Sequence, residues 1–137
     1  MKLKLEVITP TKIVLSEEVD EITIPTVNGE ITILPNHVNL VTKLMPGEMV
    51  IKKGGKSDLF AITGGFLEVS NNNINLLADY AIHASDIEIA KVEAAKERAQ
   101  KAMREKLSEE DFRVANAELA KSLLQLKVAR RHKSPKP

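Results

Sequence analysis

All six glycines of this chain lie before Ser85, and residues 86–137 contain none. Glycine supplies the positive φ that tight turns need and weakens helix interiors, so a stretch punctuated by glycine and a stretch without it fold under different rules. The first reads as short extended runs joined by turns, and the second as helix. Charge divides at the same place: residues 1–85 carry 7 basic and 10 acidic side chains, residues 86–137 carry 13 and 9. The expected architecture is therefore α+β in two modules, an N-terminal antiparallel β-sandwich over residues 1–84 and a C-terminal α-helical hairpin over residues 85–131. Residues 132–137 read as a disordered tail.

In the first module the apolar period is two. Leu3, Leu5 and Val7 point one way while Lys2, Lys4 and Glu6 point the other, which is the pattern of a half-buried strand. The alternation returns at Ile22 and Ile24, Ile31 and Ile33, Phe60 and Ile62, Leu67 and Val69, and Ile74 and Leu76. Between these runs stand Asn28-Gly29, Pro46-Gly47, Gly54-Gly55, Gly64-Gly65 and Asn71-Asn72-Asn73, residues that accept positive φ or close side-chain turns. No helical pattern intervenes, so parallel α/β topology is excluded and a sandwich or flattened barrel is expected.

Beyond the break, Ser85-Asp86-Ile87-Glu88 has the spacing of a capping box. A helix is expected from there to about Leu107, with Ile89, Val92, Ala95, Ala99, Ala102 and Met103 on one face. Small residues on that face allow a second helix to approach closely. Ser108-Glu109-Glu110-Asp111 then begins the second helix with the acidic first turn that the helix dipole favours. Its stripe is Phe112, Ala115, Leu119, Leu123 and Leu126. A further apolar shoulder, Ala117, Leu124 and Val128, is more than one partner helix can cover and is expected to meet another surface.

The chemistry-bearing residues are sparse. The chain has no Cys and no Trp, which removes disulfides, thiolate catalysis, Cys-based zinc sites and most base-stacking platforms. His37, His83 and His132 fall in separate segments and suggest no metal triad or nucleophile–base pair. Gly64-Gly65 lacks the following lysine of a phosphate-binding loop and reads as a turn or bulge requirement. A formal net charge of +1 argues against nucleic acid as a partner, and no apolar run is long enough to cross a bilayer. The expectation is a soluble intracellular, non-catalytic protein. From Leu119 onward there are six basic residues, Lys121, Lys127, Arg130, Arg131, Lys133 and Lys136, and no acid. Such an arm either complements the helix dipole in solvent or docks on an acidic partner.

Leu34-Pro35-Asn36-His37-Val38-Asn39-Leu40-Val41 and Gly64-Gly65-Phe66-Leu67-Glu68-Val69 resemble segments of the epsilon subunit of bacterial rotary ATP synthases. Val7-Ile8-Thr9-Pro10, Asn75-Leu76-Leu77-Ala78-Asp79 and Ala117-Glu118-Leu119-Ala120-Lys121 resemble it as well, so the likeness spans most of the chain. Departures occur at Asn36, where the family pattern has glycine, at Asn39, where it has proline, and at Thr32, where it has glycine. They imply altered turn geometry.

The resemblance implies a non-catalytic subunit of a proton- or sodium-translocating ATP synthase, peripheral to the cytoplasmic face of the plasma membrane. Its sandwich would attach to the gamma subunit and touch the c-ring, with Glu30 and His37 in the segments nearest that contact. Its hairpin would be a two-state element that leaves rotation free when folded down and inhibits ATP hydrolysis when extended. In the extended state Arg113, Lys121, Lys127, Arg130 and Arg131 would meet acidic surfaces of the alpha/beta catalytic subunits. No cofactor is implied beyond ATP as a regulatory ligand, held in family members by an [IL]-D-x-x-R-A pattern. Here that stretch is Ile87-Glu88-Ile89-Ala90-Lys91-Val92, in which Lys91 lacks the planar fork of arginine and Val92 is bulkier than alanine. Ile87, Glu88 and Lys91, with Arg98 on the same edge and Lys121 on the second helix, form a weakened nucleotide site or else a capped helix start with surface ion pairs. The alternative function is a scaffold whose hairpin binds another helical protein.

Overall fold

The computed structural model of this protein describes residues 2–105 and 108–133. The chain divides into two units, residues 1–83 and residues 84–137.

The first unit contains ten strands: β1 (Leu3–Ile8), β2 (Ile13–Val19), β3 (Glu21–Thr26), β4 (Gly29–Ile33), β5 (Leu40–Leu44), β6 (Gly47–Lys53), β7 (Lys56–Ile62), β8 (Gly65–Ser70), β9 (Asn73–Ala78) and β10 (Ala81–His83). They hydrogen-bond in one continuous order, β10-β7-β6-β3-β5-β8-β9-β1-β2, with β4 paired to β3 off that path. The alternation seen in the sequence places Leu3, Leu5 and Val7, Ile22 and Ile24, Leu67 and Val69, and Ile74 and Leu76 in one buried core. Met49 and Phe60 join it, and the rest of the core is almost wholly aliphatic.

Four strands lie outside the alternating pairs noted above: β2, β5, β6 and β10. In β6 the period-two signal is present at Met49 and Ile51, both buried, but Lys52-Lys53 truncates it. In β7 alternation fails because Leu59, Phe60, Ala61 and Ile62 are all buried. One pairing is parallel, β1 with β9, and the intervening sandwich takes the place of a crossover helix.

The expected separators are turns. Gly29, Gly54, Gly55, Gly64 and Gly65 have positive φ, as do Asn36, Asn71 and Asn72. At Gly65 the reason is steric: a Cβ there would lie 1.9 Å from the Leu77 carbonyl oxygen of the neighbouring strand. Gly65 is thus a packing requirement of the β8–β9 pair.

The second unit begins with a 3-10 turn, Ala84–Asp86, followed by α1 (Ile89–Met103) and α2 (Glu109–Lys133). The helix starts later than a capping box at Ser85 would place it. Glu88 occupies the N-cap without a side-chain cap bond, because its carboxylate pairs with Lys91 at 3.0 Å, and the helix starts after it. Leu107, where the first helix was expected to end, lies outside the described residues. The second start is as read: the Asp111 N–H donates to Ser108 Oγ at 3.1 Å, a side-chain cap. At the other end α2 continues through His132 to Lys133, where a tail was expected. A helical run of lysine, arginine and histidine at a C-terminus is favoured by the dipole. Residues 134–137, including Lys136 of the basic arm, lie outside the described residues.

Val92 and Ala99 of α1 are buried, as are Ala115, Leu126 and Ala129 of α2. Ser122 replaces the expected Leu123 in that stripe: Ser122 is buried and Leu123 is 48% exposed. Ala115, Leu119, Ser122, Leu126 and Ala129 follow alternating steps of four and three, the spacing of a packed helix seam, which Leu123 breaks. Of the apolar shoulder, Val128 is fully buried, Leu124 half-buried and Ala117 exposed.

Candidate functional site

The sandwich has two chemically distinct ends. Thr26 pairs with Gly29 and with Leu44, Leu44 with Gly65, and Gly65 with Ala78, so these five residues mark one end across five strands. Glu30 sits beside that row, exposed, near the exposed side chains of Val27 and Met45. His37 belongs to the loop between β4 and β5 at the opposite end. From Glu30 to Ile33 the strand alone covers about 10 Å, so Glu30 and His37 are not brought together. The His37 ring is oriented by its own loop: Nδ1 lies 2.7 Å from the Val38 carbonyl.

Between the ends, one outward face of the sheet carries an apolar row. Phe66 pairs with Leu77, Leu77 with Ile8, and Ile8 with Ile13. Phe66 is 56% exposed, Leu77 54% and Ile13 63%. Ile8, Thr9, Pro10, Phe66, Leu77, Ala78 and Asp79 line a shallow groove of about 290 Å³ there. The next row along the strands is polar, with Glu68, Asn75 and Glu6 side by side. An exposed apolar row of this kind is a candidate binding face. Phe66, Leu77 and Ile13 were not singled out as site residues from the sequence. The signal was the alternation itself, which turns Leu67 inward and therefore Phe66 outward.

Farther from this row, Asp20 accepts from the Lys2 ammonium and from the Gly54 N–H, the latter at 2.8 Å. These two contacts hold its carboxyl below the usual carboxylate range. Among the described residues no three His, Asp or Glu side chains cluster as a metal site would require.

On the hairpin, Ile87 is buried and Arg98 exposed. Glu88 and Lys91 are occupied with each other. Arg130 reaches Glu93 at 3.1 Å and marks which levels of the two antiparallel helices face each other. Counting from that pair at the helical rise, Lys91 and Lys121 lie on the order of 15 Å apart along the hairpin, with Arg98 between them. The structure therefore does not gather the five expected nucleotide contacts at one level. Arg113, Lys127 and Arg131 are exposed along α2, whereas Lys121 is half-buried.

Comparison with known proteins agrees with this two-part layout. The β-sandwich domain of the ATP synthase delta/epsilon chain matches residues 2–84, and its long α-helix domain matches residues 85–130. The ATP synthase epsilon chain of Herpetosiphon aurantiacus is 42% identical over 130 residues, covering 95% of this chain and 96% of that one. That of Desulforamulus reducens is 41% identical over 126 residues, covering 92% and 96%. Among solved structures, a chain of the Euglena gracilis mitochondrial ATP synthase, in an assembly of OSCP, F1 and c-ring, superposes with a TM-score of 0.67 at 25% identity over 96% of this chain and 79% of that one. A chain from the central stalk and c-ring of the Tetrahymena thermophila enzyme superposes at 0.59 with 18% identity over 94% and 97%, which speaks for the fold alone.

Proposed function

The chain belongs to the ATP synthase delta/epsilon family, as an epsilon chain of the central stalk, and we propose that its sandwich fastens the gamma subunit to the c-ring while its hairpin restrains ATP hydrolysis. The observation that carries the first half is the apolar row Ile13, Ile8, Leu77 and Phe66, exposed at all but the half-buried Ile8. A folded domain that leaves such a row in solvent gains from covering it, and the shaft of the stalk is a partner of suitable size. Glu30 with Val27 and Met45 supplies a separate contact at one end, facing the c-ring, and His37 supplies another at the opposite end, on gamma. Catalysis rests with the alpha and beta chains. No helix among the described residues is long and apolar enough to cross a membrane, in keeping with peripheral attachment at the cytoplasmic face of the bacterial plasma membrane through the complex.

For the hairpin, support comes from its seam. Ala99, Ala115, Ala129 and Ser122 are buried, and small side chains bury little apolar area per contact. Such a pair of helices is cheaply separated, as a two-state element must be. Once extended, Arg113, Lys121, Lys127, Arg130 and Arg131 would meet acidic surfaces of the catalytic subunits. The test is reconstitution with alpha, beta and gamma, comparing hydrolysis with the full chain and with a chain ending at Ala84. The expected result is faster hydrolysis with the shortened chain; equal rates would refute inhibition and leave the fastening role intact.

For Ile87, Glu88, Lys91, Arg98 and Lys121 the Glu88–Lys91 ion pair favours surface pairing over ATP as a regulatory ligand. Calorimetric titration of the whole chain with millimolar ATP decides it. Absence of heat beyond dilution removes the nucleotide from the scheme.

A further inference from the structure

We propose that Asn36, Asn39, Asn71 and Asn72 form a latch that locks the loop between β4 and β5 onto the turn between β8 and β9, holding His37 in a fixed position.

The loop over residues 34–39 has little else to hold it. Leu34 is 52% exposed and Val38 76%, so burial of its apolar side chains does not order it. Proline at position 39 would fix φ directly, but asparagine stands there. The turn over residues 71–73, by contrast, is built into the sheet. Ser70 pairs with Asn73 across it, and the Lys4 N–H donates to the Asn72 carbonyl at 2.8 Å. The loop borrows that rigidity by exchange. The Asn36 N–H donates to Asn72 Oδ1 at 2.6 Å, and the Asn71 N–H donates to Asn39 Oδ1 at 3.3 Å. A longer contact of 3.5 Å runs back from Asn72 Nδ2 to Asn36 Oδ1. Each segment therefore gives one backbone donor and receives one through an amide oxygen, across more than thirty residues of chain.

Backbone conformation suits the residue type. Asn36, Asn71 and Asn72 have φ of 68°, 50° and 64°, a region that asparagine tolerates better than other side chains bar glycine. Position 36 keeps the positive φ open to the family's glycine, and the asparagine at 39 substitutes a tertiary tie for a ring constraint. A loop held in advance is ordered before a partner arrives, so binding through it loses less entropy.

The latch itself is independent of the fastening role proposed above, whereas its effect on a partner rests on that role. Asn72→Gly keeps the positive φ and the carbonyl that accepts from Lys4 while removing the amide. In the full-length chain, amide exchange at Asn36 is expected to become about 5- to 10-fold faster, the loss of one ordinary hydrogen bond. Asn39→Ala should do the same at Asn71. Unchanged exchange at both positions overturns the latch. With purified gamma, Asn72→Gly should weaken association several-fold, and Asn39→Pro in the same chain should restore it. Faster exchange with unaltered gamma affinity would overturn the positioning role of the latch. If the unmodified chain fails to bind gamma at all, the fastening reading falls and the exchange result still decides the latch.

Discussion

Arg130 of α2 crosses the hairpin to Glu93 of α1, with a guanidinium nitrogen 3.1 Å from the carboxylate. One residue thus belongs both to the closed hairpin and to the set of cations proposed for the extended state. It cannot serve both at once. The pair is largely exposed, 62% and 50% for the two side chains, so its strength is modest.

Glu93→Gln removes the attraction and keeps the shape. The closed hairpin should lose about 0.2–1 kcal/mol, raising the extended fraction by no more than about fivefold. Hydrolysis in the reconstituted complex should fall relative to the unmodified chain, and added salt should narrow the difference. A variant that hydrolyses faster would contradict the role given to Arg130.

Gly65→Ala places a methyl carbon against the Leu77 carbonyl at a φ of 124°. Because the obstacle is backbone, it has little room to yield, and denaturant unfolding should report a loss of about 2–4 kcal/mol. Gly55→Ala is the comparison. Its φ is 79° but a Cβ there meets nothing within 4 Å, so only conformational strain applies, about 1 kcal/mol.

The Asp20 carboxyl titrates below its unfolded value because the Lys2 ammonium and the Gly54 N–H stabilise the charged form. A depressed folded pKa means that the contribution is complete above the unfolded value and is lost as the pH falls through the folded one. Stability measured from neutral pH downward should therefore decline below about pH 4. Asp20→Asn should flatten that part of the curve. An identical acid limb in the variant would mean that other carboxylates account for it.

Ser122 is buried in the hairpin with its hydroxyl lacking a partner. Ser122→Ala removes an unsatisfied polar group at almost no cost in volume, so the folded hairpin should gain about 1 kcal/mol. Slower amide exchange across α1 and α2 would report it, and inhibition of hydrolysis should weaken in step. Loss of stability on the same change would show that the hydroxyl has a hydrogen-bonding role.

Individual exposures and caps were readable in the chain because they depend on local rules. The exposure of Phe66 follows from its alternation with Leu67, and the cap at Ser108 follows from a hydroxyl placed three residues before Asp111. The failures are equally particular. Ser85 has the spacing of a cap, but the helix takes Glu88 as its N-cap, and spacing alone does not say which of two nearby positions starts it. Leu123 was expected in the seam, but Ser122, one step of about 100° away around the helix, takes the place, and only the docked partner selects between them. Glu30 and His37 were both expected in the segments nearest one contact, and the intervening strand carries them to opposite ends.

The amino-acid sequence by itself determined the division at Ser85, the β and α character of the two parts, the aliphatic core and the family resemblance. Each of these is set by periodicity, by glycine and asparagine at turns, or by residue type, and such signals act within a few residues. Tertiary structure alone decided the parallel pairing of β1 with β9, the apolar row that Phe66 shares with Leu77 and Ile13, the tie between Asn36 and Asn72, and the separation of Lys91 from Lys121. All four depend on which distant segments become neighbours, a choice made by the free energy of the whole packed chain.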